Sequence, residues 1–304
     1  MSCETNDVNK VSVMGKIFGN PIFFIVLTVA IMYLGNVLGL YIALPISILL
    51  SGGSVENKNP FAVTGFDSDT ILYLAFIGIW ILFFLVTLIP YYRHLRKTVF
   101  YSKNGNTITS FMIGILVGFA LNAGCILAAI VNKDIYLSKR GEPILALAVM
   151  FVFVLIQSGA EEILTRGFLF QLLYDKFGKA WVAIAGNALL FSLLHICNQG
   201  VTVMAVLNIF IIGIFFSIIR YYTKSLWCCI AIHTAWNYSQ NIVFGLPNSG
   251  FVSAFSYLKL DASNARNSFF YNVGFGIEGT YFSFAIICVA SLAAFLILKK
   301  RKAR

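Results

Sequence analysis

Residues 143–174 read PILALAVMFVFVLIQSGAEEILTRGFLFQLLY. Positions 143–160 carry no charge, and Glu161, Glu162 and Arg166 then interrupt a run that stays apolar to Tyr174. About 20 apolar residues cross a bilayer as a helix, so this stretch predicts a membrane helix. Ionisable side chains at that depth cost several kcal/mol and mark a functional site by default.

The rest of the chain agrees with a membrane setting. Of 304 residues, 59% are hydrophobic and 11% charged, with mean hydropathy +0.86. A soluble chain has about twice that charge, so a soluble enzyme, a disordered scaffold and a disulfide-stapled secreted domain are excluded. Residues 17–55, 70–92, 104–132, 143–160, 180–219, 225–258 and 279–298 contain no Asp, Glu, Lys or Arg. The 180–219 run is too long for one helix, and Asn198-Gln199-Gly200 divides it. The expected fold is all-α, a polytopic bundle of about eight transmembrane helices. Pro45 and Ser51-Gly52-Gly53 are expected to end the first. That run is also long enough to hide a re-entrant piece, which leaves the parity open.

With the N-terminus inside, cytoplasmic segments hold fifteen Lys and Arg, including Arg93, Arg96, Lys176, Lys179, Arg220, Lys224 and the run from Lys299 to Arg304. Outer segments hold six: Lys58, Lys133, Lys139, Arg140, Lys259 and Arg266. That bias places both termini in the cytoplasm. It also accounts for the net charge of +10 without a nucleic-acid partner. The basic runs, His94 among them, are read as topology signals that also suit anionic lipid headgroups. The first apolar run is too long for a cleavable signal. The six cysteines, Cys3, Cys125, Cys197, Cys228, Cys229 and Cys288, lack C-x-x-C spacing and are read as packing thiols. Gly35-x-x-x-Gly39 and Gly114-x-x-x-Gly118 predict close helix approach. The stretch 246–280 is expected to form an external loop with structure of its own.

Ten of the twelve acids fall in tails, loops or span edges, Asp69, Asp134 and Glu278 among them. Only Glu161 and Glu162 sit inside a long apolar helix. Glu162 and Arg166, at i,i+4, share a face and can pair, while Glu161 points about 100° away. Gly178 marks a turn 17 residues after Glu161 and 17 before His195, so an antiparallel hairpin puts both ~25 Å from it and level with each other. Phe191 shares a face with His195 and is placed to orient it. His233 and Asn237 share a face of the following helix and offer an imidazole and a carboxamide. One length does not close: His233 lies only ~12 Å above Ser225. A protruding hairpin at Asp175–Lys179 and a turn at Asn198–Gly200 inside the membrane would reconcile the levels.

The ordered set Glu161-Glu162-x-x-x-Arg166, Phe191-x-x-x-His195 and His233-x-x-x-Asn237 resembles the CPBP family, the CAAX-protease and bacteriocin-processing (Abi) intramembrane endopeptidases. The resemblance divides the chain into an N-terminal membrane region 1–142, a CPBP-like catalytic core 143–245, and 246–304 with the loop, last helix and basic tail. It implies peptide-bond hydrolysis within the membrane at a site open toward the cytoplasm. Glu161 would be the general base on a water that His195 helps hold, His233 and Asn237 would stabilise the oxyanion, and Glu162 and Arg166 would fix the site. Burial disfavours the charged form of Glu161, as suits a base. Zinc on Glu161, His195 and His233 is left open, although H-E-x-x-H is absent. The implied substrates are membrane-associated peptides or proteins, either a prenylated CAAX protein or a peptide precursor or bacteriocin-linked peptide; composition favours a bacterial cell membrane as the location, where peptide processing or bacteriocin self-immunity is the expected role. A catalytically silent scaffold that binds a partner membrane protein is the alternative. A proton-relaying transporter is the third reading, weakened by the absence of an internal repeat.

Overall fold

A computed structural model describes residues 18–51, 61–63, 65–100 and 105–302. Cys3, Glu4, Asp7, Lys10, Lys16, Gly52-Gly53, Glu56, Lys58, Lys103 and Arg304 lie outside the described residues.

The chain forms α1 (Pro21–Ser51), α2 (Phe66–Leu74), α3 (Ile77–Val86), α4 (Arg93–Phe100), α5 (Ile108–Val131), β1 (Leu137–Lys139), α6 (Ile144–Glu162) and α7 (Phe170–Phe177). It continues with α8 (Ala180–Leu193), α9 (Val203–Thr223), α10 (Leu226–Asn237), β2 (Leu258–Leu260) and α11 (Tyr281–Lys302). Among the described residues six stretches are long and apolar enough to cross a membrane: Pro21–Ser51, Phe66–Val86, Ile108–Val131, Ile144–Phe177, Val203–Thr223 and Tyr281–Arg301. The protein is a helical integral membrane protein. The two remaining expected spans are shorter. The 14-residue α8 stops at Leu193, where a turn begins that ends on the Thr202 cap of α9. The 12-residue α10 changes winding after Asn237. Pro45 does not end α1, which continues through it to Ser51. Membrane helices tolerate this because surrounding groups satisfy the carbonyl that a proline leaves free.

Glycine decides two helix contacts. A Cβ on Gly39 would lie 1.6 Å from the Ala75 carbonyl oxygen, and one on Gly78 2.0 Å from that of Gly35. The first Gly-x-x-x-Gly therefore seats α1 on the α2–α3 break. A Cβ on Gly118 would lie 2.3 Å from the Ile232 carbonyl oxygen, so this glycine sets α5 against α10. Gly39→Val is expected to push α1 off α2 and to destabilise by about 1–3 kcal/mol. A thermal midpoint in detergent equal to wild type contradicts this.

The loops gather on two faces. On one, Asn106 Oδ1 accepts from the Leu226 and Trp227 amides at 2.7 and 3.2 Å, and His94 meets Asp175 at 3.1 Å. On the other, β1 pairs antiparallel with β2, Leu137 opposite Leu260, and residues 244–280 form a cap. The cap hangs on three carboxylates expected at the periphery and found buried. Asp69 accepts from the Phe255 amide at 3.0 Å and from Ser253. Asp134 accepts from Arg266 Nε at 2.9 Å and Ser268 Oγ at 2.5 Å. Glu278 accepts from Trp236 Nε1 at 3.0 Å and Gln240 Nε2 at 2.6 Å.

Burial works against ionised Asp134, but donors from Ser268, Asn132 and Arg266 outweigh it and hold the carboxyl below its ordinary 3.8. A depressed carboxyl contributes stability above its unfolded-state value and loses it as pH falls through the folded one. The Asp134 anchor is therefore expected to hold at neutral pH and release only below about pH 4, seen as faster amide exchange around 132–139 and 258–268. Release between about pH 5 and 7 contradicts it.

Of the cysteines, Cys125, Cys228 and Cys229 are buried and Cys288 is half-buried, as packing thiols should be. Cys197 departs from that reading: it is exposed on the turn after α8.

Candidate active site

α6 ends on the two glutamates, and the chain then winds as a π-helix over Ile163–Leu169. α10 ends on Asn237 and gives way to a second π-helix, Tyr238–Val243. Such segments concentrate at functional sites. Here they begin directly after the residues singled out from sequence, and hydrophobic spacing gives no sign of them.

Glu162 and Arg166 pair as expected, Nη1 to Oε1 at 2.8 Å, both fully buried. The guanidinium also donates to Thr165 Oγ1 at 2.9 Å and to the Gly213 carbonyl at 3.4 Å. It lies over the Phe191 ring at 4.3 Å and the Phe216 ring at 5.0 Å. Phe191 thus supports Arg166 as well as His195, whose ring it meets edge-on at 4.9 Å. The same Glu162 Oε1 accepts from His233 Nδ1 at 3.0 Å. A carboxylate paired with arginine only accepts, so Nδ1 of His233 carries a proton. Its Nε2 lies 3.8 Å from Glu161 Oε2.

Glu161 turns the other way, into a cavity of about 410 Å³. Its Oε1 accepts from Gln157 Nε2 at 2.6 Å. Gln157 Oε1 in turn accepts from Asn237 Nδ2 at 3.1 Å and Ser158 Oγ at 3.1 Å. Asn237 is engaged at both ends: Nδ2 also donates to Ser158 Oγ at 3.4 Å, and Oδ1 accepts from Asn248 Nδ2 at 3.0 Å. His195 lies two residues past α8, in the turn rather than on the helix. Its Nδ1 bonds the Phe191 carbonyl at 2.8 Å. A carbonyl only accepts, so Nδ1 is protonated and Nε2 is left with a free lone pair.

Glu161, His195, His233 and Asn237 all line this one cavity. Lys224, the C-cap of α9, places its Nζ over the Tyr174 ring at 5.8 Å, which sets the end of α9 beside α7. Gln157, Ser158, Asn248 and Glu278 were not singled out from sequence. The i,i+4 spacing of Gln157 and Glu161 was a usable signal, whereas nothing in the sequence brings Asn248 or Glu278 to the cavity.

A zinc site needs three or four donors converging at about 2.0–2.2 Å. Among the described residues no three His, Cys, Asp or Glu side chains are grouped to hold a metal. Glu161, His195 and His233 as placed do not fit zinc.

Fold and site together define a helical integral membrane protein with a largely apolar cavity into which glutamate, histidine and amide side chains project. Residues 143–239 match the family of the type II CAAX prenyl endopeptidase Rce1-like proteins. The matched stretch, about a third of the chain, is the one that holds the three motifs from Glu161 to Asn237. No curated protein and no solved structure matches.

Proposed function

We propose that the protein is an intramembrane endopeptidase that hydrolyses peptide bonds of membrane-associated peptides or proteins. The observation that carries this reading is the single cavity shared by Glu161, His195, His233 and Asn237, with the Glu162–Arg166 pair sealed behind it.

Glu161 and His195 Nε2 are both acceptors. A water between them gives each a hydrogen and turns a lone pair to the substrate carbonyl. Glu161 takes the proton as the carbon–oxygen bond forms and returns it to the leaving amine. Glu162 holds His233 by Nδ1, and Nε2, when it carries a second proton, donates to the developing oxyanion. Asn237 joins it by exchanging Gln157 or Ser158 for that oxygen. Donors aimed at developing charge are usually the largest catalytic term. The setting is a bacterial cell membrane with both termini cytoplasmic, and the role is peptide processing or bacteriocin self-immunity.

The test is cleavage of membrane-anchored reporter peptides by the purified protein in liposomes, followed by mass spectrometry. Cleavage unaffected by strong chelators is expected. Loss of cleavage on chelation with recovery on adding zinc contradicts the metal-free scheme. Partner binding without cleavage of any reporter favours the silent scaffold.

A further inference from the structure

The non-helical residues that line the cavity belong to one face of the bundle. They are the turn from Leu194 to Gln199, the strip Asn248–Phe251, and Glu278 in the short 3-10 turn before α11. Asn198 Nδ2 donates to the Ser249 carbonyl at 2.9 Å, and Gly200 packs on Gly274, so turn and cap are one surface. Among the described residues, none of the opposite loops at 90–100, 105–107, 178–179 or 224–225 lines the cavity. On that side the bundle is closed by the buried Arg166–Glu162 pair and an apolar cluster including Tyr92, Phe168 and Leu226.

Of the described basic residues, Lys133, Lys139, Arg140, Lys259 and Arg266 lie on the cap side and the larger number on the opposite face. Arg93, Arg96, Lys176, Lys179 and Lys224 sit on the closed face, and α11 returns its basic end there. By the positive-inside tendency the closed face is cytoplasmic. A cytoplasmic location for the termini and a site open toward the cytoplasm, both expected above, therefore point to opposite faces of this structure.

We infer that the candidate site is served from the face away from the termini, the extracytoplasmic side. Its substrates are then membrane-anchored peptides or proteins whose cleavable segment emerges on that outer side and reaches Glu161 past the cap strip and the Cys197 turn. The substrate class rests on the protease reading, while the orientation does not.

The native Cys197 and an added Ala262→Cys on the cap, both exposed, report that face; Lys179→Cys reports the other. Each thiol is kept as the single accessible one, in full-length chains with Cys3→Ser, and the two added thiols also with Cys197→Ser. Intact bacterial cells are treated with a membrane-impermeant maleimide. Cys197 and Ala262→Cys are expected to label as fully as after permeabilisation, and Lys179→Cys to rise by an order of magnitude only on permeabilisation. The reverse pattern, or labelling of all three in intact cells, overturns the orientation. Labelling at Ala262→Cys without Cys197 overturns access to the site from that face. These readouts do not depend on catalysis. If orientation holds but no reporter is cleaved, the protease reading fails and the facing stands.

Discussion

Glu161→Ala abolishes reporter cleavage while the protein stays folded and inserted. Removing a general base costs about 10²–10⁴-fold in rate. Glu161 has no part in the structural ion pair: its carboxylate faces the cavity and is held by Gln157 Nε2. Gln157 keeps its bonds from Asn237 and Ser158 when Glu161 is truncated, so the packing of α6 on α10 survives. Glu161→Gln is the sharper variant, because it keeps the shape and removes the basic oxygen; it is expected to be as inactive as Glu161→Ala. Wild-type rates in either variant, measured beside unchanged thermal midpoints, contradict the assignment.

Arg166→Met is expected to have the largest effect on stability. It leaves Glu162 at a fully buried position without its cation, held only by the hydrogen bond from His233, a loss of about 3–5 kcal/mol. The pair is not a strong stabiliser in itself, since Glu162 Oε2 and Arg166 Nε are buried without hydrogen-bond partners. Its retention is better explained by what it holds: Glu162 Oε1 fixes His233, and the guanidinium lies on Phe191, which orients His195. The double variant Glu162→Leu/Arg166→Met should therefore recover much of the stability and none of the cleavage. Thermal unfolding in detergent and reporter cleavage, measured on the same preparations, separate the two effects. Recovery of both shows that the pair does not position the histidine.

The class of fold follows from charge-free runs, and the pairing of Glu162 with Arg166 follows from i,i+4 spacing. Equal distances to Gly178 predict that Glu161 and His195 come together, and both line one cavity. Other features have no linear signature. The π segments after Glu162 and after Asn237 are only seven and six residues long, too short for their different period to show in the hydrophobic pattern. Asp69, Asp134 and Glu278 look like solvated loop acids because their donors lie far away in sequence, on the cap for Asp69 and Asp134 and on α10 and the π-helix after it for Glu278. Asn237 looks free to donate, yet its partners Gln157 and Asn248 come from elements that only tertiary packing brings together. The facing of the cavity is likewise a property of the assembled loops and of no single span.

The most direct measurement is cleavage of a membrane-anchored reporter in heavy-oxygen water by wild type and Glu161→Gln in liposomes. The account predicts one heavy oxygen in the new carboxylate of the wild-type product and no product from Glu161→Gln. Labelled product from Glu161→Gln at the wild-type rate would contradict it.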